Sequence, residues 1–244
     1  MTNPERRGLT GEEIDENRAK QIAEEFTGKD KVKEINSNGL SENANIPSYD
    51  FAIKTNNNSD TNLWISISRK GGHVVFMNYD RDVDVETITI EKANELGKEF
   101  LNIRGINNMK ETYFIKQGGI ATINYAYMQN DVVIYPDLIK LKLALDNGEI
   151  LGIETTGYLN SHIERNLEQV QISKEKAKES LNKDLEILSE GLAIIPTEYQ
   201  TEVLCWEFKG KVEDREFLVY INAITGREED VLVILNTPNG TLTM

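Results

Sequence analysis

The chain has 244 residues, of which 39% are hydrophobic and 28% are charged, a composition typical of a folded globular protein. Its formal net charge of −14 argues against nucleic acid and anionic lipid as partners, because both attract proteins through Lys and Arg. No apolar run approaches the roughly 20 residues that a membrane-spanning helix needs, and the polar stretch from Met1 to Asp15 carries no secretory signal. The acidic surface suits solubility or a basic partner.

One helix-start pattern occurs three times along the chain. Each copy has an isoleucine, then a residue that can cap a helix, then an alanine four positions after the cap. The copies are Ile14-Asp15-Glu16-Asn17-Arg18-Ala19, Ile88-Thr89-Ile90-Glu91-Lys92-Ala93 and Ile172-Ser173-Lys174-Glu175-Lys176-Ala177. Asp, Thr and Ser accept a hydrogen bond from a free N–H at a helix start, which stabilises the helix by about 1 kcal/mol. The isoleucine can pack back on the first turn. The pattern predicts three helices.

Apolar residues continue the helical spacing after these starts. They are Ala19, Ile22, Ala23 and Phe26 in the first helix, and Ala93, Leu96, Phe100 and Leu101 in the second. Gly97 matches Ala23, and a glycine there costs roughly 1 kcal/mol relative to alanine unless close packing on a sheet requires it. The third helix departs from the pattern at Ser180 and Asp184, and its predicted apolar stripe is Leu181, Leu185 and Leu188.

Alternating apolar residues predict strands after each helix. Three strand–turn–strand hairpins close at Gly72, Gly148 and Gly226. Their strands are predicted at 63–67 and 74–77, at 139–143 and 150–153, and at 217–221 and 231–235. Earlier strands are predicted at 31–35, 49–54, 112–116, 121–128 and 201–208, and loops at 36–48 and 56–60.

These elements predict an α+β fold of three tandem units, each one helix packed on an antiparallel β-meander. The expected organisation is a flexible N-terminal segment over residues 1–10, then units over 11–86, 87–165 and 166–244, with junctions near 83–86 and 158–169.

The sequence contains few residues that could carry catalysis. His73 and His162 lie in different predicted units, and neither has a Cys or His partner at the spacing of a zinc site, which needs three or four ligands. Spacing alone leaves a Ser-His-Asp arrangement open, but no nucleophile elbow supports one. The glycine pairs at 71–72 and 118–119 lack the rest of a phosphate-binding loop. We therefore predict no catalytic residue, no cofactor and no metal.

Three further features have structural interpretations. The run Asp80-Arg81-Asp82-Val83-Asp84, with Glu91 at the twelfth position, imitates a calcium loop, but Val85 stands where the sharp turn needs glycine. A linker is the favoured interpretation. Tyr125 and Tyr127 share a strand face, where core packing is favoured over a groove. The single cysteine, Cys205, cannot form an intramolecular disulfide and is predicted to be a buried small hydrophobe.

A capped helix followed by an antiparallel meander that ends in a strand–Asp-Asn-Gly–strand hairpin resembles the PepSY domain. The stretch Leu141-Lys142-Leu143-Ala144-Leu145-Asp146-Asn147-Gly148-Glu149-Ile150 carries the resemblance best. Three such units, closed by Leu235-Asn236-Thr237-Pro238-Asn239-Gly240-Thr241-Leu242, look like the C-terminal region of the YpeB family of spore germination proteins. The resemblance covers the chain from about Gly11 to Met244, and the third unit departs most from the pattern.

This resemblance implies a non-enzymatic spore germination protein that stabilises, protects or inhibits a cortex-lytic enzyme (SleB-like) until germination. The parent protein is expected to carry an N-terminal membrane anchor, absent from this fragment, that holds it at the outer side of the inner spore membrane. The opening Met1-Thr2-Asn3-Pro4 fits such a fragment. PepSY domains also occur in protease propeptides, so a PepSY-type protease inhibitor module is the alternative. The family supplies no catalytic motif, and an enzyme in its own right is the third hypothesis.

Overall fold

The computed structural model describes residues 6–56, 61–197, 201–237 and 239–243. Its helices are α1 (Glu16–Thr27), α2 (Ile90–Ile103), α3 (Thr156–Ser161) and α4 (Lys174–Lys178). Its strands are β1 (Val32–Ser41), β2 (Ser48–Thr55), β3 (Thr61–Ser68), β4 (Val74–Tyr79), β5 (Met109–Gln117), β6 (Ile120–Gln129), β7 (Val132–Ala144), β8 (Ile150–Glu154), β9 (Glu186–Pro196), β10 (Glu202–Val212), β11 (Arg215–Asn222), β12 (Glu228–Thr237) and β13 (Gly240–Thr243). The fold is α+β, mostly strands with few helices.

The three predicted helix caps are confirmed. The Asp15 carboxylate accepts a hydrogen bond from the backbone N–H of Arg18 at 2.8 Å. The Thr89 and Ser173 hydroxyls accept the equivalent bonds three residues later, each at 3.2 Å. Each cap satisfies one backbone donor that the helix itself leaves free, so α1, α2 and α4 begin where the sequence predicts.

The isoleucine before each cap contacts the closing glycine of the following hairpin. A Cβ atom placed on the glycine would lie 3.2 Å from Ile14 at Gly72, 3.5 Å from Ile88 at Gly148 and 3.7 Å from Ile172 at Gly226. Each isoleucine N–H also donates to the carbonyl three residues before that glycine, at 2.8 Å, 3.0 Å and 2.9 Å respectively. The helix start and the hairpin turn are therefore joined in the same way three times.

The first eight strands form one antiparallel sheet with a symmetric strand order. The order is β1-β2-β3-β4-β8-β7-β6-β5, so β4 and β8 pair at the centre, where Met77 faces Ile153. Both residues lie five positions after the closing glycine of their own hairpin. Helices α1 and α2 cover the same face of this sheet, and their buried alanines share one hydrophobic core. Helix α1 with β1–β4 and helix α2 with β5–β8 thus form one continuous body.

The remaining strands extend the sheet and close it into a ring. The order continues from β5 through β13, β12, β11 and β10 to β9, and β9 pairs in parallel with the beginning of β7. Eight strands, β5–β7 and β9–β13, therefore enclose a second core that contains Ala126, Val133, Cys205, Leu218 and Tyr220. Helix α4 packs outside the ring, where Ala177 lies with Phe208, Val219 and Ile221.

Several sequence predictions are wrong. The loop predicted at 36–48 begins only after Ser41, because β1 continues through a register shift between Ser37 and Gly39. The third helix ends at Lys178, earlier than its predicted apolar stripe requires. Leu181 and Leu185 therefore lie in turns after the helix, where they pack against the cluster around Ala177. Leu188 lies in β9, a strand that the sequence did not predict, and is 48% exposed. Of the loop predicted at 56–60, residues 57–60 lie outside the described residues.

Residues 6–10 pack against the sheet, which differs from the expected flexible segment. Leu9 is 5% exposed and contacts a small cluster with Ile46, Val75 and Leu159. Across the part of the chain that the structure describes, none of the helices combines the length and apolar character needed to cross a membrane.

Candidate functional site

The C-terminal turns of α1 and α2 meet above the central strands β4 and β8. Phe26 and Phe100, which stand at matching positions after their caps, contact edge to face with ring centres 5.8 Å apart. The Arg104 guanidinium lies 3.6 Å from the centre of the Phe100 ring and 4.8 Å from that of Phe26. Stacking of a guanidinium on aromatic rings is favourable. These three side chains form a cluster that divides the interhelical groove in two.

One half of the groove is a cavity of about 470 Å³, here called the histidine cavity. Its apolar wall consists of Ile22, Phe26, Val74, Ile106, Ile153 and Leu159. Its ionisable nitrogen groups are those of His73, His162 and Arg104, and no Asp or Glu lines it among the described residues. The cavity is therefore apolar, with one arginine and no carboxylate in its described lining, which is unusual in a chain with 41 acidic residues.

The other half, the hairpin cavity, measures about 680 Å³ and also contacts Phe26 and Arg104. Gly148 and Ile150 line it at positions that match Gly72 and Val74 in the histidine cavity. Its remaining lining is more polar and includes Glu25, Lys31, Asn147 and Glu149. The two cavities are thus matching spaces toward opposite ends of the β4–β8 pair, and they differ in the charged groups that line them.

An arginine clamp holds the β7–β8 hairpin beside the hairpin cavity. The Arg81 guanidinium donates to both Asp146 carboxylate oxygens at 2.8 and 2.9 Å, and to Glu149 at 2.9 Å. Lys31 reaches Glu149 at 2.8 Å from the beginning of β1. The hydrogen bonds from Arg81 lower the pKa of Asp146 to about 2. The acidic run at 80–84 therefore contributes an arginine that ties β4 to the hairpin.

A buried ionic cluster, the clasp, lies next to the histidine cavity. Asp137 is 0% exposed and accepts two hydrogen bonds from Arg165, at 2.7 and 2.9 Å, and one from His162 Nδ1 at 2.8 Å. Arg165 also donates twice to Glu202, at 2.8 Å each, and Arg7 donates to the same carboxylate at 2.7 Å. The hydrogen bond from Arg165 holds the pKa of Glu202 below its ordinary value. The clasp therefore connects the N-terminal segment, β7, the 162–170 linker and β10.

The structure brings both histidines to the histidine cavity. His73 Nε2 lies 2.8 Å from the Thr10 carbonyl oxygen, to which it donates, and the His162 ring stacks on Tyr158 with centres 4.1 Å apart. No group of three or more His, Cys, Asp and Glu side chains that could hold a metal ion occurs within the described ranges. The two rings therefore take part in hydrogen bonding and packing.

The hydrogen bond between His162 and Asp137 has the geometry of a base with its orienting carboxylate. Arg165 shares this carboxylate, however, and thus neutralises much of its charge. Thr155, a hydroxyl residue of the cavity lining, donates to the Val74 carbonyl at 2.7 Å. The arrangement supplies positioned binding groups, and this hydroxyl is not directed at the histidine.

The two tyrosines and the cysteine behave as structural residues. Tyr125 is 0% exposed, and its hydroxyl donates to the Asn94 carbonyl of α2 at 3.3 Å, so the predicted core packing is confirmed. Tyr127 donates to Glu164 in the linker and contacts His162 edge to face. Cys205 is fully buried, as predicted, and burial raises the pKa of its thiol to about 12.

The residues that sequence reasoning missed are Arg81, Arg104, Asp137, Arg165 and Glu202. Asp137 offered one signal, since a charged residue directly after Pro136 interrupts the apolar pattern of β7. Its partners lie 28 residues away at Arg165 and, through that residue, at Glu202. Residues that pair across so long a stretch of chain leave no local pattern in the sequence.

These features define an α+β protein in which capped helices pack on antiparallel strands around an interhelical groove. Residues 1–168 match the family model described as "YpeB sporulation, PepSY1 and PepSY2 domains", and residues 171–232 match "Peptidase propeptide and YPEB domain". The chain therefore belongs to the YpeB family of sporulation proteins, which contain PepSY domains.

Individual relatives agree with this assignment. The chain is 32% identical to the sporulation protein YpeB of Bacillus subtilis over 93% of its own length and 51% of that protein. It is 29% identical to that of Halalkalibacterium halodurans over 91% of its length and 49% of the relative. It thus spans about half of these relatives. The solved C-terminal domain of Bacillus megaterium YpeB, 29% identical, superposes with a TM-score of 0.82, covering 93% of this chain and 100% of that domain.

Proposed function

We propose that this chain is a non-enzymatic germination module that binds a cortex-lytic enzyme of the SleB type and stabilises, protects or inhibits it until germination. The observation that carries this proposal is the interhelical groove, which offers two adjacent cavities and positioned polar groups. Grooves of this size and composition are typical of binding sites. Membership of a sporulation family supplies the biological setting.

The proposed module consists of three PepSY-like units over 11–86, 87–165 and 166–244. The recurring contact between the isoleucine, the cap and the hairpin glycine supports this division, because it occurs once in each range. In the parent protein an N-terminal anchor would hold the module at the outer side of the inner spore membrane.

Protection follows from binding. A module that binds the folded enzyme and not its unfolded chain lowers the unfolded population and so slows proteolysis. We expect the purified chain to form a complex with the cognate lytic enzyme in size-exclusion chromatography and to lengthen its half-life under trypsin about fivefold or more. An unrelated acidic protein of similar charge is the control. The proposal fails if no complex forms and the half-life stays the same.

A protease inhibitor module is the second candidate, because the match over residues 171–232 carries the description of a peptidase propeptide domain. Titration of the chain against spore proteases separates the two functions. Stoichiometric inhibition would favour this candidate, whereas rapid cleavage of the chain without inhibition would exclude it.

A further inference from the structure

We propose that the interhelical groove binds a peptide segment of the partner protein in which a carboxylate stands beside an apolar side chain. The carboxylate and the apolar side chain enter the histidine cavity. Polar residues of the same peptide, on one side of this pair, continue into the hairpin cavity. The inference rests on the proposed function, since it names the chemistry of the partner that the groove accepts.

The first argument is charge. The chain carries 41 Asp and Glu residues against 27 Lys and Arg, yet no carboxylate lines the histidine cavity among the described residues. Arg104 stands between the two cavities and forms no ion pair within the described part of the chain, although 20 ion pairs occur elsewhere in it. The guanidinium stacks on Phe26 and Phe100 and donates one hydrogen bond, from Nη1 to the Phe100 carbonyl at 3.1 Å, so its other N–H groups have no acceptor within the described residues. An incoming carboxylate would supply the missing partner.

The second argument is the fixed orientation of the histidines. His73 Nε2 donates to Thr10, and His162 Nδ1 donates to Asp137, so each ring is held through one nitrogen. The other nitrogen of each ring has no hydrogen-bond partner within the described residues, and in the neutral ring it can accept a hydrogen bond from a peptide N–H. Both rings line the cavity with Arg104. Polar groups that are already oriented lose little freedom on binding.

The third argument concerns the apolar part of the segment. An apolar wall lies beside Arg104 and the two histidines, and it consists of Ile22, Val74, Ile106, Ile153 and Leu159. A volume of about 470 Å³ accommodates a Leu or Phe side chain together with an adjacent carboxylate. Neither an isolated anion nor an isolated apolar side chain uses both parts of the cavity.

The fourth argument distinguishes a peptide from a small amphiphile. The histidine cavity and the hairpin cavity share Phe26 and Arg104 in their linings, so they lie next to each other on the two sides of the cluster. The hairpin cavity presents the Lys31–Glu149 ion pair and Asn147, whose side-chain nitrogen has no acceptor within the described residues and suits a peptide carbonyl. An alkyl tail would gain nothing there. An extended chain, at about 3.3 Å per residue, reaches across both spaces.

The chemistry is tested with two amidated, acetylated peptides, SNGSLEFL and SNGSLQFL, which differ by one carboxylate. Titration into the ¹⁵N-labelled chain is followed by NMR at the amides of Val74, Ile106 and Thr155, which line the histidine cavity. We expect the glutamate peptide to bind at least fivefold more tightly. Arg104→Gln should abolish this preference, whereas Arg215→Gln, at an exposed arginine outside the groove, should preserve it.

Equal binding of the two peptides, or no shift at these amides, overturns the proposal. Octanoate is titrated in parallel. If octanoate shifts these amides and the glutamate peptide does not, the cavity is a site for a free amphiphile and the peptide proposal is wrong. Because the peptide pair is compared on the unaltered chain, this result does not depend on the folding of a variant.

The link to the partner is tested with the lytic enzyme itself. We expect Arg104→Gln to weaken the complex at least fivefold and Arg215→Gln to leave it unchanged. A wild-type complex that Arg104→Gln does not weaken overturns this inference and leaves the proposed function standing. Absence of the wild-type complex counts against the proposed function, while the peptide titration still decides the chemistry of the groove.

Discussion

At position 97 the second helix carries glycine where a helix interior ordinarily favours alanine. The packing of α2 on β6 explains this choice. A Cβ atom on Gly97 would lie 2.2 Å from the Tyr125 hydroxyl oxygen and 3.0 Å from its ring carbon Cζ. Both residues are buried, and the hydroxyl is held by the Asn94 carbonyl. The glycine therefore lets the helix approach the tyrosine closely.

We predict that Gly97→Ala lowers the free energy of unfolding by about 1–3 kcal/mol, because the added methyl forces apart a closely packed core. The sign is opposite to the gain that alanine gives in an exposed helix. Urea denaturation measures the change. Gly191→Ala is the control, since no atom lies within 4 Å of a Cβ at that position and the expected change is small. A stabilised Gly97→Ala variant would contradict the packing argument.

At the scale of single elements, the β6–β7 hairpin has a tight two-residue turn. Gln129 pairs with Val132, and the intervening Asn130 and Asp131 have φ values of 49° and 64°. Two consecutive positive φ values are typical of a type I′ turn, whose twist matches that of the flanking strands. Asparagine tolerates this conformation well, but glycine is favoured at the second position.

Asp131→Gly should therefore stabilise the protein by about 0.5 kcal/mol, because it removes the strain of a left-handed aspartate. The matched substitution Asp214→Gly, in the β10–β11 turn, should destabilise it by a similar amount, since Asp214 has no positive φ to relieve. Thermal or urea unfolding of both variants gives the comparison. Equal effects of the two substitutions would show that turn conformation does not control the outcome.

Elements defined by local chemistry could be predicted from the sequence, and those defined by distant contacts could not. The three caps and the hairpin glycines act within a few residues, so their patterns were reliable. The third helix failed because polar side chains after Lys178 compete for the backbone. Asn182, for example, accepts the N–H of Asp184 at 2.9 Å. Leu181 and Leu185 lie beyond the end of the helix, and from the turns there they still pack on the strands.

The candidate site was less predictable than the fold for the same reason. The groove depends on the pairing of β4 with β8, which brings two hairpins from separate parts of the chain together. In the sequence His73 and His162 are isolated residues, and only the tertiary fold brings them to the same cavity. Arg104 follows the second helix at an exposed position, where an arginine ordinarily signals nothing more than a solvated surface.

At the scale of the whole molecule, several connections bind the C-terminal strands to the first eight. The β7–β9 pairing and the β13–β5 contact join the strands directly. The clasp of Asp137, Arg165 and Glu202 joins β7 to β10 through buried charges. Ile194, Leu204 and Ala223 belong to the same core cluster as the residues beneath α1 and α2. Within the described residues, the core beneath α1 and α2 thus continues into the C-terminal strands.

We therefore predict a single cooperative unfolding transition, and the two tryptophans provide the test. Trp64 lies on β3, while Trp206 lies on β10 and donates from its indole nitrogen to the Ile172 carbonyl at 2.8 Å. Trp64→Phe leaves Trp206 as the sole reporter of the C-terminal strands, and Trp206→Phe leaves Trp64 for the N-terminal sheet. Within each variant, the urea midpoint from fluorescence should coincide with that from far-ultraviolet circular dichroism.

The comparison is made within each variant because the substitutions can themselves change stability. Loss of the indole hydrogen bond in Trp206→Phe should lower the free energy of unfolding by about 1 kcal/mol and shift both of its midpoints together. If the C-terminal strands instead unfolded separately, the fluorescence of Trp206 would change at a urea concentration different from that of the bulk circular dichroism. Such a separation would mean that the clasp and the β7–β9 pairing are too weak to couple the two parts.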